Sequence, residues 1–328
     1  MNGVTFTDFE TGISQVAEAA VVINATGIFS DAIRLMDDAK AARAVQPSQG
    51  VHLVFDRSFL QGDSAIMVPH TDDGRVLFVI PWHDKVLVGT TDTPMQPPEI
   101  EPCALQEEVG FILRNAARYL ARDPHEKDIL SIFAGQRPLV RKPGKDGVRH
   151  QGDLPQSRGA RLGCRARHTG RRQVDHLPED GAGRRRSCRH AGRSPSQAMH
   201  HRTSPTFGWR SRNAAPLPDW LSVYGSDEEA IRDLIASHTE LAGKMHPRLL
   251  YPLATVVWGA GHEQARTLED ILSRPTRALL LDARAAIEAA PTVAALLSKE
   301  LGRDKVWEAE QVREFTQLAG GYLHQPAP

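Results

Sequence analysis

Residues 148–206 set the hardest limit on what this chain can fold into. That stretch holds thirteen Arg, no Lys, and no Phe, Tyr, Trp or Ile. Burial of apolar surface supplies most of the drive to fold, roughly 25 cal/mol per Å². A segment with so few large apolar groups has little to set against the entropy of ordering its backbone. We expect it to be disordered and unable to contribute a strand to a sheet. Ordinary sequence runs up to it and resumes at Phe207-Gly208-Trp209. The expected organisation is therefore three-part: 1–147, 148–206 and 207–328.

Charge is divided the same way. The chain is neutral overall, but thirteen Arg against Asp153, Asp175, Glu179 and Asp180 give the stretch +9 and leave −9 elsewhere. The mildly acidic flanks imply neither nucleic acid nor a membrane surface as partner. The stretch by itself has the composition of an Arg-rich nucleic-acid-binding insert, which is one alternative reading. Of three cysteines only Cys103 lies outside it, so there is no disulfide framework and a reducing, cytoplasmic compartment is expected. Cys164, His168, Cys188 and His190 do not have the spacing of compact ligand pairs, and no metal site is assigned. The sequence shows no signal peptide and no run of about 18 apolar residues.

The N-terminal part reads as β. Ala20–Gly27 is a short apolar strand ending in a small-residue turn. Val51–Phe55, Ala65–Val68, Arg75–Ile80 and Lys85–Val88 are runs rich in β-branched residues, separated by turns at Asp72-Asp73-Gly74 and His83-Asp84. That pattern predicts an antiparallel sheet. Leu105–Leu120 has apolar residues at helical spacing, and Ile129–Val140 returns to strand. From Trp220 onward the pattern is helical. Ser226–Glu229 fits a capping box, Thr267 with Asp270 fits another, and Pro291 is expected to separate two helices.

At particular residues the chain resembles the FAD-dependent, quinone-linked glycerol-3-phosphate dehydrogenase family. Asn24-Ala-Thr-Gly27 is similar to that family's second FAD-contacting turn. Ser48-Gln-Gly-Val-His52 resembles the start of its substrate-domain sheet. Phe78-Val-Ile-Pro-Trp82 with Gly89-Thr-Thr-Asp92, and Gly135-Gln-Arg-Pro-Leu139, resemble further motifs in the family's order. His262-Glu through Asp270 and Thr276-Arg-Ala-Leu279 resemble its helical C-terminal domain. The resemblance implies an α/β plus α fold. That is a partial FAD-binding fold of the glutathione-reductase-like kind, with an antiparallel substrate-domain sheet and then an all-helical domain. It implies FAD as cofactor, glycerol 3-phosphate as substrate and quinone as electron acceptor. Peripheral contact with the inner membrane and pairing into a homodimer stay open, and an amine or amino-acid oxidase of the same fold class is the alternative enzyme.

The resemblance also assigns residues. Arg137 is the candidate phosphate ligand, because a guanidinium offers a fixed fork of donors. His52 is the second substrate-binding candidate. Asn24, Thr26, Gly27, Thr91 and Asp92 are the cofactor-side candidates, and no catalytic residue is assigned.

Two family elements are missing from the sequence. There is no GxGxxG turn, and Met1 falls well inside the family pattern, so about the first third is expected to be absent. The family's Ser-Arg-Asp-His strand and Gly-Gly-Lys-Trp-Thr-Thr-Tyr segment are also not found. The genetic code offers an explanation for the second gap. Advancing the reading of Gln173–Asp180 by one base permits Lys-Trp-Thr-Thr-Tyr-Arg-Lys-Met, and Arg171-Arg172 before it can become Gly-Gly. Gln151–Gly159 can likewise become Lys-Glu-Ile-Ser-Arg-Asn-His-Val. Each step allows only a few residue types, so agreement over two windows favours a displaced reading frame. The polypeptide as written is then expected to be inactive and free of flavin.

Overall fold

The computed structural model describes residues 3–140, 159–161, 166–169, 209, 220 and 223–324. Its compact units are assembled from separated stretches of chain. One comprises Met1–Gln49, Asp92–Ile100 and Gln136–Pro205; the other comprises Gly50–Thr91, Glu101–Gly135 and Thr206–Pro328.

The first unit opens with an antiparallel hairpin, β1 (Gly3–Thr7) and β2 (Ser14–Glu18), in register from Gly3↔Glu18 to Thr7↔Ser14. Its turn closes through the Gly12 amide to the Asp8 carbonyl at 2.8 Å, with Gly12 at φ +69°. Strand β3 (Val22–Asn24) leads through a single 3-10 turn into α1 (Ser30–Asp37). Asp31, in the first turn of α1, accepts the Ala44 and Val45 amides at 2.9 and 3.0 Å and pairs with Arg34 at 2.7 Å. These contacts fix the entry into the long strand β4 (Val45–Asp56).

In the second unit, β4 continues into an antiparallel sheet with β5 (Ile66–Val68), β6 (Leu77–Trp82) and β7 (Lys85–Gly89), in the order β5-β6-β7-β4. In the first unit, Ser48 and Gln49 of β4 pair with the short strand β8 (Thr93–Pro94). Successive side chains along a strand point to opposite faces. Val51, Leu53 and Phe55 of β4, Leu77 and Val79 of β6, and Val86 and Val88 of β7 share one buried core. Helix α2 (Gln106–Ala116) covers it with Val109, Phe111, Ile112 and Ala116. His52 alternates out of that core. Strand β9 (Ser131–Val140) follows and pairs with β4.

Two further strands, β10 (Gly159–Arg161) and β11 (Ala166–Thr169), form a hairpin, and β11 lies parallel to β3 with Arg167 opposite Ile23. This corrects the expectation that the Arg-rich stretch supplies no strand. A ladder is made by main-chain N–H and C=O groups, which every non-proline residue carries, so pairing does not need apolar side chains. The rest of the expected disordered stretch lies outside the described residues.

The helical part contains α3 (Glu228–Ser237), α4 (Ala254–His262), α5 (Leu268–Ser273), α6 (Ala278–Leu281), α7 (Ala283–Leu301) and α8 (Lys305–Gly320). The Thr267 capping box forms as expected: its hydroxyl accepts the Asp270 amide at 3.1 Å, and Asp270 returns to the Thr267 amide at 3.0 Å. The box expected at Ser226 does not form. Residues 225–227 make a 3-10 turn instead, and the Asp227 that precedes α3 makes no capping bond through its side chain. Pro291 does not break the chain into two helices either, but sits inside α7. Proline removes one helical hydrogen bond. Here Ala285, Ala286, Ala289, Ala290, Val293, Ala294 and Leu297 are buried on both sides of it, and their packing holds the helix through the gap. Helix α7 ends where the sequence supplies Gly302 at φ +64°, with the Arg303 amide returning to the Ser298 carbonyl at 2.8 Å. Among the described residues, no helix is long and apolar enough to cross a membrane.

Two outcomes are expected. Thr267→Ala removes a satisfied cap and costs about 1 kcal/mol, read as a lower denaturant midpoint with unchanged slope. Burial pushes the Asp31 carboxyl up, but the Val45 and Ala44 amides and Arg34 outweigh it, leaving it below its ordinary value. A depressed carboxylate contributes fully above its unfolded value of about 3.9, and the contribution is lost as pH falls through the folded value. Asp31→Asn should therefore lower stability at neutral pH, with the gap from the parent closing in acid. A gap independent of pH would show that the carboxylate charge is not the source.

Candidate functional site

The turn after β3 is ordered by its own side chains. Asn24 is buried; its Nδ2 donates to the Ser30 carbonyl at 2.9 Å, and its Oδ1 accepts from Thr26 Oγ1 at 2.8 Å and the Thr26 amide at 3.3 Å. Ser30 Oγ donates to the Gly27 carbonyl at 2.7 Å. Gly27 stands at φ +59°, the left-handed region that glycine enters without steric penalty, and a Cβ there would meet no heavy atom within 4 Å. Three of the cofactor-side candidates thus form one pre-set turn with open space beside its glycine. That arrangement suits the close approach of a ligand to main chain.

In the same unit, Arg137 on β9 faces Asp92 at 3.7 Å, and Ser48 Oγ donates a hydrogen bond to the Asp92 carboxylate. The Arg137 side chain is 40% exposed. The ion pair is longer than the roughly 2.7–2.9 Å of a charge-assisted hydrogen bond.

Thr91 belongs to the second unit and is buried. Its Oγ1 accepts the Val51 amide at 3.0 Å and donates to Glu108 Oε1 at 2.8 Å. Glu108 Oε2 in turn accepts the Leu105 amide at 3.0 Å. The Thr91 hydroxyl thus ties β4 to the start of α2.

His52 lies opposite Gly89 in the β4–β7 register. Its ring stacks on Phe133 with centroids 5.3 Å apart and planes 18° from parallel. A Cβ on Gly89 would collide with the imidazole Cδ2 and come within 2.9 Å of its Cγ. Phe133 rests on Trp82 at 6.2 Å, and the Arg277 guanidinium sits 5.7 Å from the Trp82 ring centroid.

The structure brings Asn24, Thr26 and Gly27 together, brings Asp92 to Arg137, and gives His52 an aromatic wall. Sequence reading missed Ser48, Glu108 and Phe133 as partners of these residues. Ser48 stood inside a quoted motif, but Glu108 and Phe133 carry no signal in spacing. Among the described residues, no group of His, Cys, Asp and Glu is arranged to hold a metal.

Comparison with known proteins gives the class. The model of the FAD dependent oxidoreductase family matches residues 2–170, and the chain belongs to that family. The model described as the C-terminal domain of alpha-glycerophosphate oxidase matches residues 181–310. Within the class, the similarity is to glycerol-3-phosphate dehydrogenases. The human mitochondrial glycerol-3-phosphate dehydrogenase is 31% identical over 351 residues, covering 98% of this chain and 47% of the relative. The bovine mitochondrial enzyme is 30% identical with the same coverage. The chain therefore spans about half the length of the curated relatives it matches. The X-ray structure of the glycerol-3-phosphate dehydrogenase from Bacillus halodurans, complexed with FAD, superposes with a TM-score of 0.80 at 20% identity, over 99% of this chain and 67% of that one. The expected α/β plus α fold, with its antiparallel sheet and helical C-terminal part, is borne out.

Proposed function

We propose that this chain carries the substrate-side half of an FAD-dependent glycerol-3-phosphate dehydrogenase, which oxidises sn-glycerol 3-phosphate to dihydroxyacetone phosphate. The observation that carries the reading is the match along nearly the whole chain to enzymes of that name, with the quoted motifs in their order. Bound FAD would accept the hydride from the C2 carbon and hand its electrons to a quinone. The turn at Asn24, Thr26 and Gly27 offers main chain to the cofactor. Arg137 takes the substrate phosphate, for which its fork of donors and partial exposure suit it, and Asp92 orients it. His52 is the second substrate-side candidate that the resemblance assigns. Quinones reside in lipid, so delivery of electrons to one places the working enzyme at a membrane surface.

The Arg-rich stretch belongs to the same proposal. Its codons, read one base on, permit the two segments that the family uses at this site. The chain as written lacks their Arg and Lys. Removing several cations from one phosphate site costs more than a single charged hydrogen bond, itself worth roughly 1.5–3 kcal/mol. The polypeptide as written is accordingly expected to show neither flavin absorbance nor dye-linked oxidation of glycerol 3-phosphate. Restoring the frame across 148–206, with the family's Gly-rich FAD-binding segment joined N-terminally, should return both. Turnover by the unrestored chain would overturn the frame reading. In the frame-restored protein, Arg137→Gln should raise the KM for glycerol 3-phosphate about tenfold to a hundredfold, the loss of one charged hydrogen bond. An unchanged KM would remove Arg137 from the phosphate site.

A further inference from the structure

The His52 imidazole is held on two sides, by the backbone of β7 and by a ring from β9. On one side Gly89 brings bare backbone against the ring; any larger residue there would strike the imidazole and approach within 2.8 Å of the Val51 carbonyl. On the other side Phe133 lies nearly parallel, 18° off, with centroids 5.3 Å apart. An imidazole between a main-chain wall and an aromatic face cannot swing about χ1 or χ2 without displacing one of them. Rotamer freedom is thereby removed before any ligand arrives, which is how a site keeps a substrate-side group in productive geometry.

The aromatic side of this clamp is itself buttressed. Trp82 backs Phe133 at 6.2 Å, and Arg277 lies 5.7 Å from the Trp82 centroid. Arg277 adopts φ +54°, a left-handed conformation uncommon for a residue with a Cβ. Such a conformation persists only where the surroundings over-determine it. Those surroundings include a buried hydrogen bond: Ser131 Oγ, two residues before Phe133, donates to the carbonyl of Leu279, two residues past Arg277, at 2.8 Å. The Ile132 amide donates to the Tyr322 carbonyl at 2.8 Å. The start of β9 and α6 are thus pinned together, with Phe133 just beyond the pin on one side and Arg277 just before α6 on the other.

We infer that Phe133 is a positioning residue: with Gly89 it locks the His52 ring in one rotamer before substrate arrives. This rests on the proposal that His52 serves the substrate, and the two can fail separately.

The test uses the full chain labelled with ¹⁵N-histidine, the His52 signals being identified by their disappearance in His52→Gln. In the parent chain we expect His52 Hα–Hβ couplings of a single χ1 rotamer. Phe133→Leu keeps an apolar side chain but removes the aromatic face. The couplings should then move to rotamer-averaged values, while Phe133→Tyr restores the parent values. Single-rotamer couplings in Phe133→Leu, or failure of Phe133→Tyr to restore them in a chain that melts at the parent temperature, would overturn the inference. Glycerol 3-phosphate is then added to the frame-restored protein. If it leaves the His52 signals unmoved while Phe133→Leu still unlocks the ring, the lock stands and the substrate role of His52 falls.

Discussion

Everything at the site depends on the close pairing of β4 with β7. Along β4 the odd-numbered residues Val51, Leu53 and Phe55 are wholly buried, and period-two geometry then commits His52 to the opposite face. Val54 on the other face is buried as well, so the strand is covered on both sides and the register decides which face carries the imidazole. Gly89 lets the strands approach where His52 crosses. Thr91, two residues on, anchors the same strand through the Val51 amide. Core, register and site geometry are one constraint seen at three scales.

Much of this was legible beforehand. The β-branched runs marked β5 to β7 to within two residues and the second half of β4, which starts six residues earlier at Val45, because alternation and turn residues report local geometry directly. Leu105–Leu120 gave α2, and Thr267 with Asp270 gave a cap that formed. The misses have physical causes. Ser226 has the composition of a cap, but the chain there tightens into a 3-10 turn and the helix starts two residues later. Pro291 is a breaker only when nothing outweighs the lost bond, and burial on the alanine-rich face of α7 does outweigh it. At the site, Asn24, Thr26 and Gly27 were found together because one turn holds them. Phe133 was invisible because its meaning comes from a ring four strands' worth of chain away.

The strand pair β3–β11 separates two kinds of information. Its ladder is drawn by peptide groups, so it forms on a stretch whose side chains are those of no ordinary core. Chemistry is less forgiving. A phosphate site needs particular cations at particular places, and no amount of backbone pairing substitutes for them. That asymmetry explains how a chain can share the fold of a flavoenzyme over almost its whole length and still be expected to lack its catalysis.

Pro291 has one more consequence. It lies on the exposed side of α7, and its ring leaves one helical carbonyl without its usual amide donor. The same ring holds φ near −65° whether or not the helix has formed. Fewer conformations are open to the denatured chain at that point, so less disorder is surrendered when α7 assembles. What the residue takes from the native helix it partly returns by impoverishing the alternative.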